Sequence, residues 1–147
     1  MKKRCTVCIL ILAVILCLSA CSRKQITQAD TYSTDNTKIS KYIGDSIVFD
    51  SVEFEQVNVE GTYGPTDPRY VCVLHFSEDH AQDLMDKYHW RDCSYPGFSF
   101  AVINVENAET CTWYTTNSFE RDLIKLGHLN GDAVFNGEVV VFDFTSY

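Results

Sequence analysis

Residues 70–76 read YVCVLHF and residues 77–90 read SEDHAQDLMDKYHW. The first run is apolar almost without a break, the pattern of a strand covered on both faces. Ser77 can open the second run as an N-cap, and Glu78 and Asp79 place negative charge at the positive end of a helix dipole. Ala81, Leu84, Met85 and Tyr88 recur at i, i+3, i+4 and i+7, so the spacing predicts a helix from Ser77 to about Trp90 with one apolar stripe.

Outward from this pair, Pro96 and Gly97 reset the chain. Phe98 to Val105 reads as a strand, Glu106 to Glu109 as a turn, and Thr110 to Thr116 as a further strand by its β-branched and aromatic content. Asn117 or Ser118 opens a shorter helix with Phe119, Leu123 and Leu126 on one face and Gly127 as its stop. Asn136-Gly137, set between Ala133 to Phe135 and Val139 to Phe144, is a strong hairpin signal, and VVVFDF at residues 139–144 suits a central strand. On the N-terminal side, Ser46 to Glu60 alternates but slips phase between Val52 and Phe54 on one parity and Val57 and Val59 on the other, as a bulge near Gln56 would produce. GTYGPTDPR at residues 61–69 is a long turn.

The expected fold class is therefore α+β, a mainly antiparallel sheet with two helices. From Tyr70 onward the order strand, helix, strand, strand, helix, strand resembles the ferredoxin-like split βαβ pattern, with an extra N-terminal strand and a C-terminal hairpin. That topology returns the first helix to the end of the sheet where residues 70–76 begin. It would bring Cys93 near Cys72 and leave Cys111 at the far end. Of the three cysteines after Cys21, either one pair forms and one thiol is left over, or all are buried thiols; a Cys72–Cys93 disulfide would close a loop of about 20 residues and contribute roughly 3 kcal/mol in the chain-entropy account.

The first residues carry a different signal. Lys2, Lys3 and Arg4 precede CTVCILILAVILCL at residues 5–18, an uncharged run of signal-peptide length and too short to span a bilayer. Leu18-Ser19-Ala20-Cys21 resembles the lipobox of bacterial lipoproteins. The resemblance covers residues 1–21 and implies a diacylglyceryl thioether on Cys21 and cleavage in front of it. It places the protein outside the cytoplasm on a cell membrane or outer membrane, where two acyl chains hold firmly and one does not. Cys5 and Cys8 lie inside the discarded run as small hydrophobes and carry no redox role. The expected organisation is a signal peptide at 1–20, a polar flexible tether at 21–43 and one domain at 44–147.

Lys2, Lys3 and Arg4 fall in the signal while all twenty Asp and Glu follow Cys21, so its removal takes the formal charge from −8 to −11. Nucleic acid is an unsuitable partner for such a domain, and an anionic bilayer would repel it, which favours attachment through the lipid. The charge serves solubility alone or, as the alternative, complements a basic protein or peptide partner. Tyr63 and Trp90 are expected to be the most exposed aromatics and hence partner contacts, Trp90 because it falls on the carboxylate side of the helix wheel.

Other chemistries have weaker support. Asp79, Asp83 and Asp86 with His80 offer metal-type ligands but lie opposite the apolar stripe as a solvated face, so no metal or cofactor is expected. Cys93 with His89 or His75 and Asp92 would be the parts of a thiol enzyme, yet no motif surrounds Cys93 and no catalytic residue is assigned. The reading is a non-enzymatic protein- or peptide-binding lipoprotein. The alternatives are an inhibitor or immunity-type protein against a basic toxin or hydrolase, a small thiol-dependent enzyme, and a structural envelope component.

Overall fold

The computed structural model describes residues 29–57 and 68–146. Its elements, in chain order, are β1 (Ala29–Ser33), α1 (Asn36–Ser40), β2 (Ser51–Val57), β3 (Arg69–His75), α2 (Glu78–Lys87), β4 (Arg91–Cys93), β5 (Trp113–Thr115), α3 (Asn117–Leu123), β6 (His128–Leu129), β7 (Val134–Phe135) and β8 (Val139–Thr145). All eight strands form one antiparallel sheet of order β1-β2-β3-β8-β7-β5-β4, with β6 prolonging the line of β7 along β8. The protein is α+β, as the sequence implied.

The centre of the sheet follows from the apolar runs at residues 70–76 and 139–144. β3 and β8 lie side by side from Arg69↔Thr145 to His75↔Val139, and β2 pairs with the other edge of β3 from Ser51↔His75 to Val57↔Arg69. Both faces of these strands are buried, which is why neither run alternates. On one face Phe54, Cys72, Leu74, Phe142 and Phe144 meet Ile39, Leu84, Tyr88, Phe119 and Leu123 from the helical segments. On the other, Val73, Val134, Val141 and Trp113 meet Ile103, Phe98, Phe100 and Val105 from residues 94–112.

That second cover has no regular secondary structure. The strand expected at Phe98 to Val105 is absent although Phe98, Phe100, Ile103 and Val105 turn toward the sheet. The buried carboxylate of Glu55, with 0% exposure, explains the difference. It accepts the backbone N–H of Ala101 at 2.7 Å, Val102 at 2.6 Å and Ile103 at 2.5 Å. Three successive donors are thus satisfied without a partner strand, as buried backbone groups must be. The strap is closed further along by Trp113 Nε1 donating to the Ala108 carbonyl at 2.7 Å. Tyr95 lies against the Trp113 ring at 4.9 Å, and burial pushes its phenol up to about 12.

Other expectations need correcting. Residues 29–43 are not tether: β1 pairs with β2, and Ile39 and Ile43 are fully in the core. Ile39 of α1 and Ile43 and Ile47 of the turns after it are all buried in the core, which the polar average of the segment conceals. The pairing of β2 with β3 is unbroken through Val57. The irregularity falls between Ala29 and Thr31 of β1, opposite Val57 and Gln56, and the phase slip in β2 reflects burial of Glu55 and Val57 on the second face.

The split βαβ order is not adopted. There the two strands joined by the first helix flank a single strand, whereas β8, β7 and β5 separate β3 from β4. α3 ends at Leu123, leaving Leu126 exposed. Gly127 serves a close approach rather than a helix stop: at φ +145°, a Cβ there would meet Phe144 and the Thr145 carbonyl at 3.0 Å. The Asn136-Gly137 hairpin forms, with Asn136 Oδ1 accepting the N–H of Glu138 at 3.0 Å and of Val139 at 2.8 Å.

Candidate functional site

Where β3 runs into α2, the β7–β8 hairpin comes alongside, and an open cleft of about 590 Å³ lies between them. Its walls are set by short-range links. The Phe76 N–H donates to the Glu138 carbonyl at 3.1 Å, and Phe76 lies edge-on to Phe135 at 5.9 Å. Asp50 fixes the start of α2 from outside, accepting the Ser77 N–H at 2.6 Å and meeting His80 Nδ1 at 3.0 Å. The Ser77 N–H, then His80, hold the Asp50 carboxyl below its ordinary value.

Phe76, Ala81, Met85 and Val139 give the cleft an apolar floor. His75, Glu78, Gln82 and Glu138 supply its polar rim. His75 Nε2 is 3.1 Å from Glu53 Oε1, whose other oxygen accepts from Tyr32 Oη at 3.2 Å. Glu78 and Glu138 have no ion-pair partner among the described residues. The volume falls within the range of ligand sites, roughly 300–1,000 Å³, and one side of the cleft is open to solvent.

The residues singled out from sequence do not gather here. Cys21 and Tyr63 lie outside the described residues. Trp90 is half-buried rather than a protruding anchor. α2 stops at Lys87, so the wheel position assumed for Trp90 does not exist, and its ring packs on Phe119 at 5.0 Å and Phe135 at 5.3 Å. Its Nε1 donates to the Leu84 carbonyl at 3.2 Å and the Met85 carbonyl at 3.1 Å, groups that the end of a helix leaves without partners.

The Cys72–Cys93 disulfide does not form here: Cys72, Cys93 and Cys111 are all free. Cys72 faces the helical core and Cys93 packs on the strap side, with three strands between theirs. At about 4.8 Å per strand this is some 19 Å, beyond the 7 Å Cα limit of a disulfide. The same separation keeps His75 from Cys93. Burial, then the charge of Asp132, pushes the Cys93 thiol up, away from the thiolate a nucleophile needs. Asp79, Asp83 and Asp86 are exposed along α2, and His80 turns to Asp50 instead of joining them. No cluster of three or more metal-type side chains occurs among the described residues.

Sequence reasoning missed Glu55 and the cleft. A carboxylate on the inward parity of a strand buried on both faces was the available signal for Glu55. The cleft joins residues distant in sequence and had no local signature. No protein-family model matches the chain, and neither a curated protein nor a solved structure matches it. Among the described residues no helix is long and apolar enough to cross a membrane.

Proposed function

We propose that this chain is a lipid-anchored, extracytoplasmic, non-enzymatic module that recognises a protein or peptide partner. The observation that carries the reading is the placement of the cleft. Ala29 enters the sheet at the rung of Val57, Arg69 and Thr145, whereas His75 and Val139 bound the cleft at the opposite end of β3 and β8. Six residues at about 3.4 Å each separate the two ends by roughly 20 Å. A lipid on Cys21, eight residues before Ala29, would hold the first end toward the bilayer and leave the cleft facing outward.

The raised Cys93 thiol speaks against the thiol-enzyme reading, and the separation of their strands against His75 as its base.

Two measurements on the full-length chain test the proposal. Cys21→Ala should accumulate as uncleaved precursor or leave the membrane fraction, and normal processing with unchanged fractionation removes the anchor. A photo-crosslinker at Gln82, on the cleft wall, should give a discrete adduct that one at Asn130, at the other end of β8, does not. Equal labelling from both positions removes the recognition site.

A further inference from the structure

We infer that the occupant of the cleft is a cationic peptide segment, an Arg or Lys beside an aliphatic side chain, contributed by a partner protein. The inference rests on the recognition reading above and names the chemistry that the site would take. Glu78 and Glu138 stand on the two walls, one on α2 and one on the β7–β8 turn, and neither is neutralised by an ion pair among the described residues. No Lys or Arg lines the cleft, and His75 is already engaged by Glu53.

Between the carboxylates, Phe76, Met85 and Val139 present apolar surface that is only half-buried. The stem of a long basic side chain covers such surface while its charged end reaches a carboxylate. An adjoining aliphatic residue would fill the remainder of the floor. An acidic segment would instead set like charges against Glu78 and Glu138, which costs affinity and selects against wrong partners. The net charge of −8 over the whole chain favours the same sign of partner through faster encounter.

The chain contains two methionines, Met1 and Met85, so the ¹³C-methyl resonance of Met85 is a nearly isolated reporter from the cleft floor. The full-length protein in neutral detergent would be titrated with the heptapeptides Gly-Gly-Arg-Leu-Arg-Gly-Gly, Gly-Gly-Glu-Leu-Glu-Gly-Gly and Gly-Gly-Gly-Leu-Gly-Gly-Gly. The Arg peptide should shift Met85 saturably, weaken as salt rises, and bind on the order of tenfold more weakly to the Glu78→Gln/Glu138→Gln variant. Equal shifts from all three peptides overturn the cationic assignment and leave the recognition site standing. No Met85 shift with any of them up to millimolar concentration overturns both.

Discussion

The two faces of the sheet are covered in different ways. On one, α1, α2 and α3 lay apolar stripes across Phe54, Leu74, Phe142 and Phe144. On the other, residues 94–112 lie over Val73, Val134 and Val141 without regular structure, with Ala101 to Ile103 held by the buried carboxylate of Glu55 and Ala108 by Trp113. Helices satisfy their own backbone groups and need the sheet only for their side chains. A strap has no such autonomy, and the N–H groups of Ala101 to Ile103 depend on one side chain from another element.

The largest break in this comparison comes from the shared sheet. Phe142 is fully buried among Leu74, Phe144 and the helices. Phe142→Ala should lower unfolding stability by about 3–5 kcal/mol through lost transfer energy and a residual cavity. Both covers should melt together, seen as one transition by circular dichroism and by the fluorescence of Trp90 and Trp113. If the strap signal survived to the wild-type midpoint, the two cores would be independent.

A smaller and more selective break is Glu55→Gln. The amide keeps the shape but turns one acceptor oxygen into a donor that faces a backbone N–H. Hydrogen bonds to a charged group contribute roughly 1.5–3 kcal/mol, so a loss of about 2 kcal/mol is expected. Amide exchange should quicken at Ala101, Val102 and Ile103 while α2 stays protected. The two tryptophans separate the faces, since Trp113 is 1% exposed under the strap and Trp90 packs on the helical side. In a Trp90→Phe background the Glu55→Gln change should red-shift the emission, whereas global loosening would also move Trp90 in a Trp113→Phe background.

The same contrast explains what the sequence revealed. α2 was legible because Ala81, Leu84, Met85 and Tyr88 repeat with the helical period; its end was not, because Trp90 caps the last carbonyls from beyond the helix. The strap was legible in its side chains and misleading in its backbone. Phe98, Phe100, Ile103 and Val105 repeat nearly as a strand would, but the period reports which side chains turn inward and says nothing of where the N–H groups go. Those of Ala101 to Ile103 go to a carboxylate far earlier in the chain. The cleft was least visible of all, because its walls come from α2 and the β7–β8 turn and become neighbours only through the order of the sheet.

The smallest expected effect sharpens the comparison, because the helical face carries a carboxylate latch of its own. Asp50 accepts the Ser77 N–H and meets His80, much as Glu55 accepts from the strap, but its side chain is 44% exposed where Glu55 has 0%. Solvent and salt screen an exposed latch, so Asp50→Asn should cost far less than Glu55→Gln. Its effect should also follow pH. The folded carboxyl lies below its ordinary value of 3.8, so the ionised group stabilises the fold fully above that value and loses its contribution as pH falls through the depressed folded value. The Tm gap between wild type and Asp50→Asn should thus be present at neutral pH and close in acid. A gap that persisted unchanged below the folded value would mean that Asp50 holds α2 through its shape and hydrogen bond alone, and the two latches would then differ in kind as well as in burial.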